Sequence, residues 1–170
     1  MRPPSPDLHR ACIGLGGNLD SPVLALRSAR QVIARQPGIQ EVAFSSLYRS
    51  VPMGPVDQPD YVNAVMMVDT TLTPLQLLDV LQAIENAHGR VRQGERWGPR
   101  TLDLDILLYD DLEMDDIRLK LPHPGMTRRE FVLYPLAEIV PADLNIPGQG
   151  CLSDWLAQCS PKGLMVLQDV

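Results

Sequence analysis

Residues 96–111 read RWGPRTLDLDILLYDD. The first five place two arginines, a glycine and a proline around Trp97, the composition of a polar loop. From Thr101 to Asp110 the chain turns apolar and alternates, the period of a half-buried strand. Alternation sends Leu102, Leu104, Ile106 and Leu108 to one face, expected to lie under helices. Thr101, Asp103, Asp105 and Leu107 go to the other. This strand ends a longer pattern of elements, and so it decides the fold.

Upstream, ACIGLGGNL (11–19) reads as a short buried strand ending in a glycine turn. The next segment reads as a helix, with Asp20 or Ser21 as cap, Pro22 in its first turn and an apolar stripe of Val23, Leu26, Ala29 and Ile33. Pro37-Gly38 ends it. EVAFSSLYRSV (41–51) reads as one strand, VPMGPVDQPD (51–60) as a loop and YVNAVMMVDTTL (61–72) as the next strand. Thr73-Pro74-Leu75-Gln76 is a capping-box start. Leu77, Val80 or Leu81, Ile84 and Ala87 continue its helical stripe as far as Gly89. The order β-α-β-β-α-β is the ferredoxin-like split βαβ plan, an α+β fold with helices packed on one face of a mainly antiparallel sheet. Beyond Asp110, C-terminal additions follow. The acids Asp110, Asp111, Glu113, Asp115 and Asp116 read as a solvated hairpin, 127–140 as a helix cut at Pro135, and 152–160 as a short helix.

The 170 residues suit one domain, taken as 11–170 behind a frayed tail at 1–10. That length buries a core without disulfide or metal staples. No apolar run approaches the roughly 20 residues of a membrane span, and the first ten residues lack a signal peptide's apolar centre, so a cytoplasmic protein is expected. Cys12, Cys151 and Cys159 show no C-x-x-C spacing and are expected as reduced thiols. His9, His88 and His123 lie far apart, and no zinc site is predicted. A net charge of −6 argues against a nucleic-acid binder. Yet 90–100 carries arginines at 90, 92, 96 and 100 against the single acid Glu95, which suits an anionic ligand.

Asp103 and Asp105 point the same way with Cα atoms about 6.6 Å apart. Their charges repel by roughly 2–3 kcal/mol at an effective dielectric near 20. A divalent cation with oxygen ligands offsets this, and two carboxylates plus substrate phosphates form a common Mg²⁺ environment. A lone D-x-D is more often the polar face of an amphipathic strand. Arginine beside the pair adds a second phosphate-binding feature and points to phosphoryl transfer.

At these residues the chain resembles the 6-hydroxymethyl-7,8-dihydropterin pyrophosphokinases of folate biosynthesis. GRVRQGERWGPRTLDLDILLY resembles the family's signature loop and strand, VPMGPVDQPDYVN its pterin-side loop, LPHPGMTRREFVLYPL its third block and GLGGNLDSP its N-terminal turn. The likeness runs from about Gly14 to Leu136, and the family fold is the ferredoxin-like plan. It implies transfer of the β,γ-diphosphate of ATP to the pterin hydroxymethyl oxygen, releasing AMP, with two Mg²⁺ ions at Asp103 and Asp105. Arg90, Arg92 and Arg100 would contact phosphates from a loop that closes on ATP, and Trp97 would help seal it. Gln82, Glu85, Ile106, Arg118, Lys120, His123 and Arg129 fall where the family handles ATP. Val51, Met53, Tyr61, Asn63 and Phe131 fall where it holds the pterin. ATP and the pterin are the partners implied, with no nucleic acid or membrane, on an expected monomer.

Singly, these residues have plainer readings. Tyr61 and Asn63 fit the wet end of a strand, Phe131 a core, His123 a turn, Trp97 a packed loop and Glu85 a solvated helix face. Gln93 stands where some members have lysine, Gly17 where serine is common in the first block, and Gly125 where many have arginine. Another two-metal nucleotidyl-transfer enzyme on a palm-like fold shares the paired aspartates and the plan. The tryptophan–arginine loop and the D-Q-P-D-Y-V-N stretch favour the pyrophosphokinase.

Overall fold

The computed structural model describes residues 7–18, 21–50, 60–88, 102–161 and 163–167. Strand β1 (His9–Gly17) is followed by helix α1 (Pro22–Ala34), β2 (Ile39–Phe44), β3 (Leu47–Ser50), β4 (Tyr61–Thr70), α2 (Pro74–Ala87) and β5 (Asp103–Tyr109). The main sheet runs β10-β3-β4-β1-β5, with β2 also on β4 and β10 (Met165–Leu167) at the far edge. Its pairings are antiparallel. β1 lies between β4 and β5, as the ferredoxin-like plan requires.

Helices α1 and α2 pack on one face. Leu26, Ala29 and Ile33 of α1 and Leu77, Leu81 and Ile84 of α2 meet Ile13, Leu15, Ala64, Met66, Leu104 and Ile106 in one buried cluster. Complete burial of a leucine or isoleucine side chain is worth about 1.5–3 kcal/mol. The C-terminal additions cover the opposite face: α3 (Glu130–Ile139) and α4 (Leu152–Gln158) pack through Val132, Leu133, Leu136 and Leu152 onto Cys12, Val65, Met67, Leu107 and Leu108. Between β5 and α3 run a hairpin of β6 (Met114–Asp115) and β7 (Lys120–Leu121) and a 3-10 turn at Met126–Arg128. A small ladder of β8 (Asn145–Ile146) and β9 (Gly150–Cys151) precedes α4. All three cysteines are free. Among the described residues no helix is long and apolar enough to cross a membrane.

Several local expectations are corrected. β1 starts at His9, two residues early, because Asp110 accepts the Arg10 amide at 2.8 Å and the His9 ring stacks on Tyr109. The strand expected at 41–51 is two strands: Ser45 Oγ accepts the Val65 amide and the Ser46 amide donates to Glu138 of α3, which breaks the run. Ser21 is the cap of α1, but with φ at 61° its side chain makes no capping hydrogen bond. Ala87 is exposed, and Leu78 and Glu85 join the buried side of α2 instead. Leu108 does not follow Leu104 and Ile106. A β-bulge opposite Cys12 and Ile13 turns both Leu107 and Leu108 toward α3. Helix α3 runs through Pro135, whose ring is buried, rather than stopping there.

Candidate active site

β5 is an edge strand, and its first half is fixed from two sides. The Leu104 amide, on the outer edge, donates to Glu85 Oε2 of α2 at 2.7 Å. Further along, the Leu107 carbonyl accepts the His123 amide at 2.9 Å. By strand parity the backbone groups of Ile106 face the same edge as those of Leu104. An open cleft of about 400 Å³ lies along this edge, between α2, β5 and the β6–β7 hairpin. Gln82, Glu85, Asp103, Asp105, Ile106, Arg118, Lys120 and His123 all line it. Leu78, Leu104, Asp116, Ile117, Leu119 and Pro124 complete the wall, and sequence reasoning did not single them out.

The side chains that rim the cleft are held by named partners. The Arg118 guanidinium reaches α2, 2.5 Å from Asp79 Oδ1 and 3.3 Å from Gln82 Oε1, and its amide donates to Asp116. Lys120 lies 3.6 Å from Asp115 across the hairpin. Glu85 is only 3% exposed, so the solvated reading of that residue is overturned. The Gly125 amide donates to His123 Nδ1 at 3.1 Å, which puts the proton of the neutral ring on Nε2. Burial pushes the His123 imidazole below its ordinary range. Asp105 opposes this and Arg129 adds to it.

Around the corner, on the face toward α3, lies a second set of residues. Asp103 pairs with Gly16 of β1, and Gly16 pairs with Asn63 of β4. Asp105 pairs with Gly14 in the next row of that face. Neither glycine puts a side chain of its own between the carboxylates and β4; Leu107 fills the space at Gly14 and the Asn63 carboxamide that at Gly16. Asn63 is 9% exposed. Its side chain makes no hydrogen bond among the described residues. Tyr61, two residues before it, shares its face. Phe131 sits half-buried in the first turn of α3, which packs on β4, with the Arg129 guanidinium 5.8 Å from the centre of its ring. The signal for this arrangement was in the sequence, as alternate glycines inside the apolar run ACIGLGG.

Asp103 is half-buried and Asp105 exposed, on one face of one strand. Among the described residues no group of three or more His, Cys, Asp or Glu gathers as a cation site. Two carboxylates on one strand face suit a hard cation that takes its remaining ligands from phosphate and water. Val51, Met53, Arg90, Arg92, Trp97 and Arg100 lie outside the described residues, as do the whole segments 51–59 and 89–101.

The family model of 7,8-dihydro-6-hydroxymethylpterin-pyrophosphokinase matches residues 12–141. The chain is 50% identical to the 2-amino-4-hydroxy-6-hydroxymethyldihydropteridine pyrophosphokinase of Pseudomonas aeruginosa, over 92% of this chain and 96% of that one. The Haemophilus influenzae enzyme of the same name is also 50% identical, over 92% and 97%. Among solved structures, Plasmodium falciparum HPPK-DHPS, wild type with pteroate, overlays with a TM-score of 0.70 at 14% identity. That overlay covers 92% of this chain and 43% of the Plasmodium chain, and it speaks for the fold alone. With the family model covering most of its length, the chain belongs to the 7,8-dihydro-6-hydroxymethylpterin-pyrophosphokinase family and is an enzyme, a diphosphotransferase.

Proposed function

We propose that the protein transfers the β,γ-diphosphate of ATP in line to the hydroxymethyl oxygen of 6-hydroxymethyl-7,8-dihydropterin, with two Mg²⁺ ions at Asp103 and Asp105. The observation that carries this reading is the row Asp103–Gly16–Asn63. It brings the buried Asn63 carboxamide, which makes no hydrogen bond among the described residues, over the glycine that lies between its strand and the carboxylate pair. A buried amide left unpaired costs about 1–3 kcal/mol, so a ligand that pairs it binds with advantage. The amide and amino edge of a pterin offers such a partner.

The residues divide by side. The cleft beyond β5 takes the nucleotide: Leu78, Leu104, Ile106 and Leu119 offer apolar walls for a base, Gln82 and the outer edge of β5 polar contacts, and Arg118, Lys120 and His123 contacts for phosphate. Tyr61 and Phe131 offer ring faces for the flat pterin. Bound Mg²⁺ supplies charge neutralisation and orientation of the reacting oxygens. Asp103 and Asp105 hold that charge, Glu85 holds the strand that carries them, and Arg129 lies between the His123 side and the Phe131 side. Among the described residues no side chain is placed as a general base. Positioning and electrostatics are the contributions assigned to the protein. Arg90, Arg92 and Arg100 are assigned to phosphate and Trp97, Val51 and Met53 to the walls of the two subsites, on the family likeness alone.

AMP release that depends on the hydroxymethyl pterin tests the reaction. Asp103→Ala and Asp105→Ala are each expected to lower turnover by at least about a hundredfold. The unfolding midpoint of Asp105→Ala should not fall, because removing that exposed carboxylate relieves repulsion. Near-normal turnover with Mg²⁺ in either variant would falsify the metal assignment.

A further inference from the structure

A central strand gains little from glycine, which packs nothing and loses the most freedom on ordering. β1 nevertheless carries glycine at 14 and 16. At Gly14 the missing side chain is replaced by Leu107, 3.4 Å from where a Cβ would stand, an ordinary packing distance. Gly16 differs. A Cβ there would stand 2.5 Å from Asn63 Oδ1 and 3.5 Å from Asn63 Cγ, so the carboxamide occupies the place of the absent side chain. Backbone conformation does not demand this glycine: the described glycines with positive φ are 38, 148, 150 and 163. What Gly16 provides is space.

We propose that Gly16 is a positioning residue for the pterin subsite. Lacking a Cβ, it lets the Asn63 carboxamide lie across β1 on the side of Asp103, and so sets the distance between the ring-recognising amide and the metal-binding carboxylates. The proposal rests on the reading of Asn63 given above. An alanine at 16 pushes the carboxamide back toward β4. The backbone accepts alanine, and the atom displaced is the free end of a side chain, so the fold survives the change. Only the register between the two substrates shifts.

The test compares Gly16→Ala, Asn63→Ala and the double variant with the wild-type protein. In AMP-release kinetics Gly16→Ala should raise the KM for the pterin by about tenfold or more, the effect of losing one buried hydrogen-bonded edge. The KM for ATP should stay within about twofold, because the nucleotide side is untouched. The thermal midpoint should hold. The double variant should be no worse than Asn63→Ala alone, since Gly16 acts only through that amide. A pterin KM unchanged in Gly16→Ala, or effects that multiply in the double variant, overturn the proposal. A second readout needs no turnover: the Asn63 side-chain amide signals in a ¹⁵N-correlated spectrum, assigned by their loss in Asn63→Ala. They should move in Gly16→Ala, and signals that stay in place overturn the proposal. If the wild-type protein releases no AMP with the pterin, the functional reading fails, and the spectrum alone decides whether Gly16 seats Asn63.

Discussion

Glu85 is buried on α2 with its carboxylate holding the amide of Leu104, the residue between the two aspartates. Replacing it with alanine leaves that edge amide without its acceptor. The expected loss is about 1–3 kcal/mol of stability, measured by urea unfolding. Glu85→Gln keeps an acceptor oxygen and should lose less. If both variants unfold with the wild type, the hydrogen bond does not hold β5. Glu85 also shows what a sequence conceals at the scale of one residue. A polar residue late on a helix reads as solvated, although 85 lies four after Leu81 and seven after Leu78, on their side of the helix. The periodicity contained the answer, and residue polarity masked it. The strand that carries the aspartates was legible from alternation, but alternation alone reads them as the polar face of an amphipathic strand, and only the arginines beside them pointed to phosphate.

At the scale of elements, helix starts were legible where local chemistry decides them. Thr73 Oγ1 accepts the Gln76 amide at 3.2 Å and the Gln76 side chain accepts the Thr73 amide at 2.9 Å, the reciprocal pair that T-P-L-Q announces. Thr73→Ala should therefore cost about 1 kcal/mol of stability. Ser21 is a cap in position only: its backbone is left-handed, and its hydroxyl makes no capping bond. Ser21→Gly should be neutral or stabilising by up to about 1 kcal/mol, since glycine holds that conformation without a Cβ clash. Thermal unfolding of the two variants should thus move in opposite directions or leave Ser21→Gly in place; an equal drop in both would contradict the capping assignment. Strand ends were less legible, because their causes are remote. The break at Ser45–Ser46 depends on Glu138, 92 residues on from Ser46. The bulge that turns Leu108 toward α3 depends on how β5 meets β1. Neither partner is visible from within the segment it alters.

At the scale of the molecule, two buried clusters share one sheet, and the candidate cleft lies along the edge of β5 against Leu78, Leu104, Ile106 and Leu119 of the first. The first cluster follows the β-α-β-β-α-β order, and the sequence pattern foretold it. The second is built by α3 and α4, whose apolar residues carry no sign of which face they will cover. The protein is acidic overall, at −6, and the cleft is acidic too: Glu85, Asp103, Asp105 and Asp116 line it beside Arg118, Lys120 and a His123 whose protonation burial opposes, so a polyanion there needs the added cations that the proposed Mg²⁺ would supply.

His123 ties this cleft to the stability of the whole fold. Burial lowers its proton affinity, Asp105 on β5 raises it, and Arg129 before α3 lowers it again, with a net depression below the usual value of about 6.5. Above the usual value such a histidine is neutral in both states. As pH falls through the unfolded pKa, the unfolded chain takes up a proton that the folded one resists, and stability is lost. In metal-free protein the unfolding free energy should therefore fall below about pH 6.5, partly through this group. His123→Asn removes the titration while keeping an acceptor near the position of Nδ1 for the Gly125 amide. Urea unfolding of both proteins at pH 7.5 and pH 5.5, values chosen to straddle roughly the ordinary histidine pKa, separates this group from the carboxylates that titrate in each. The variant should lose less stability than the wild type over that interval. Parallel losses would show that His123 takes up its proton as easily in the folded protein as in the unfolded chain, and that neutral His123 is no part of the resting site.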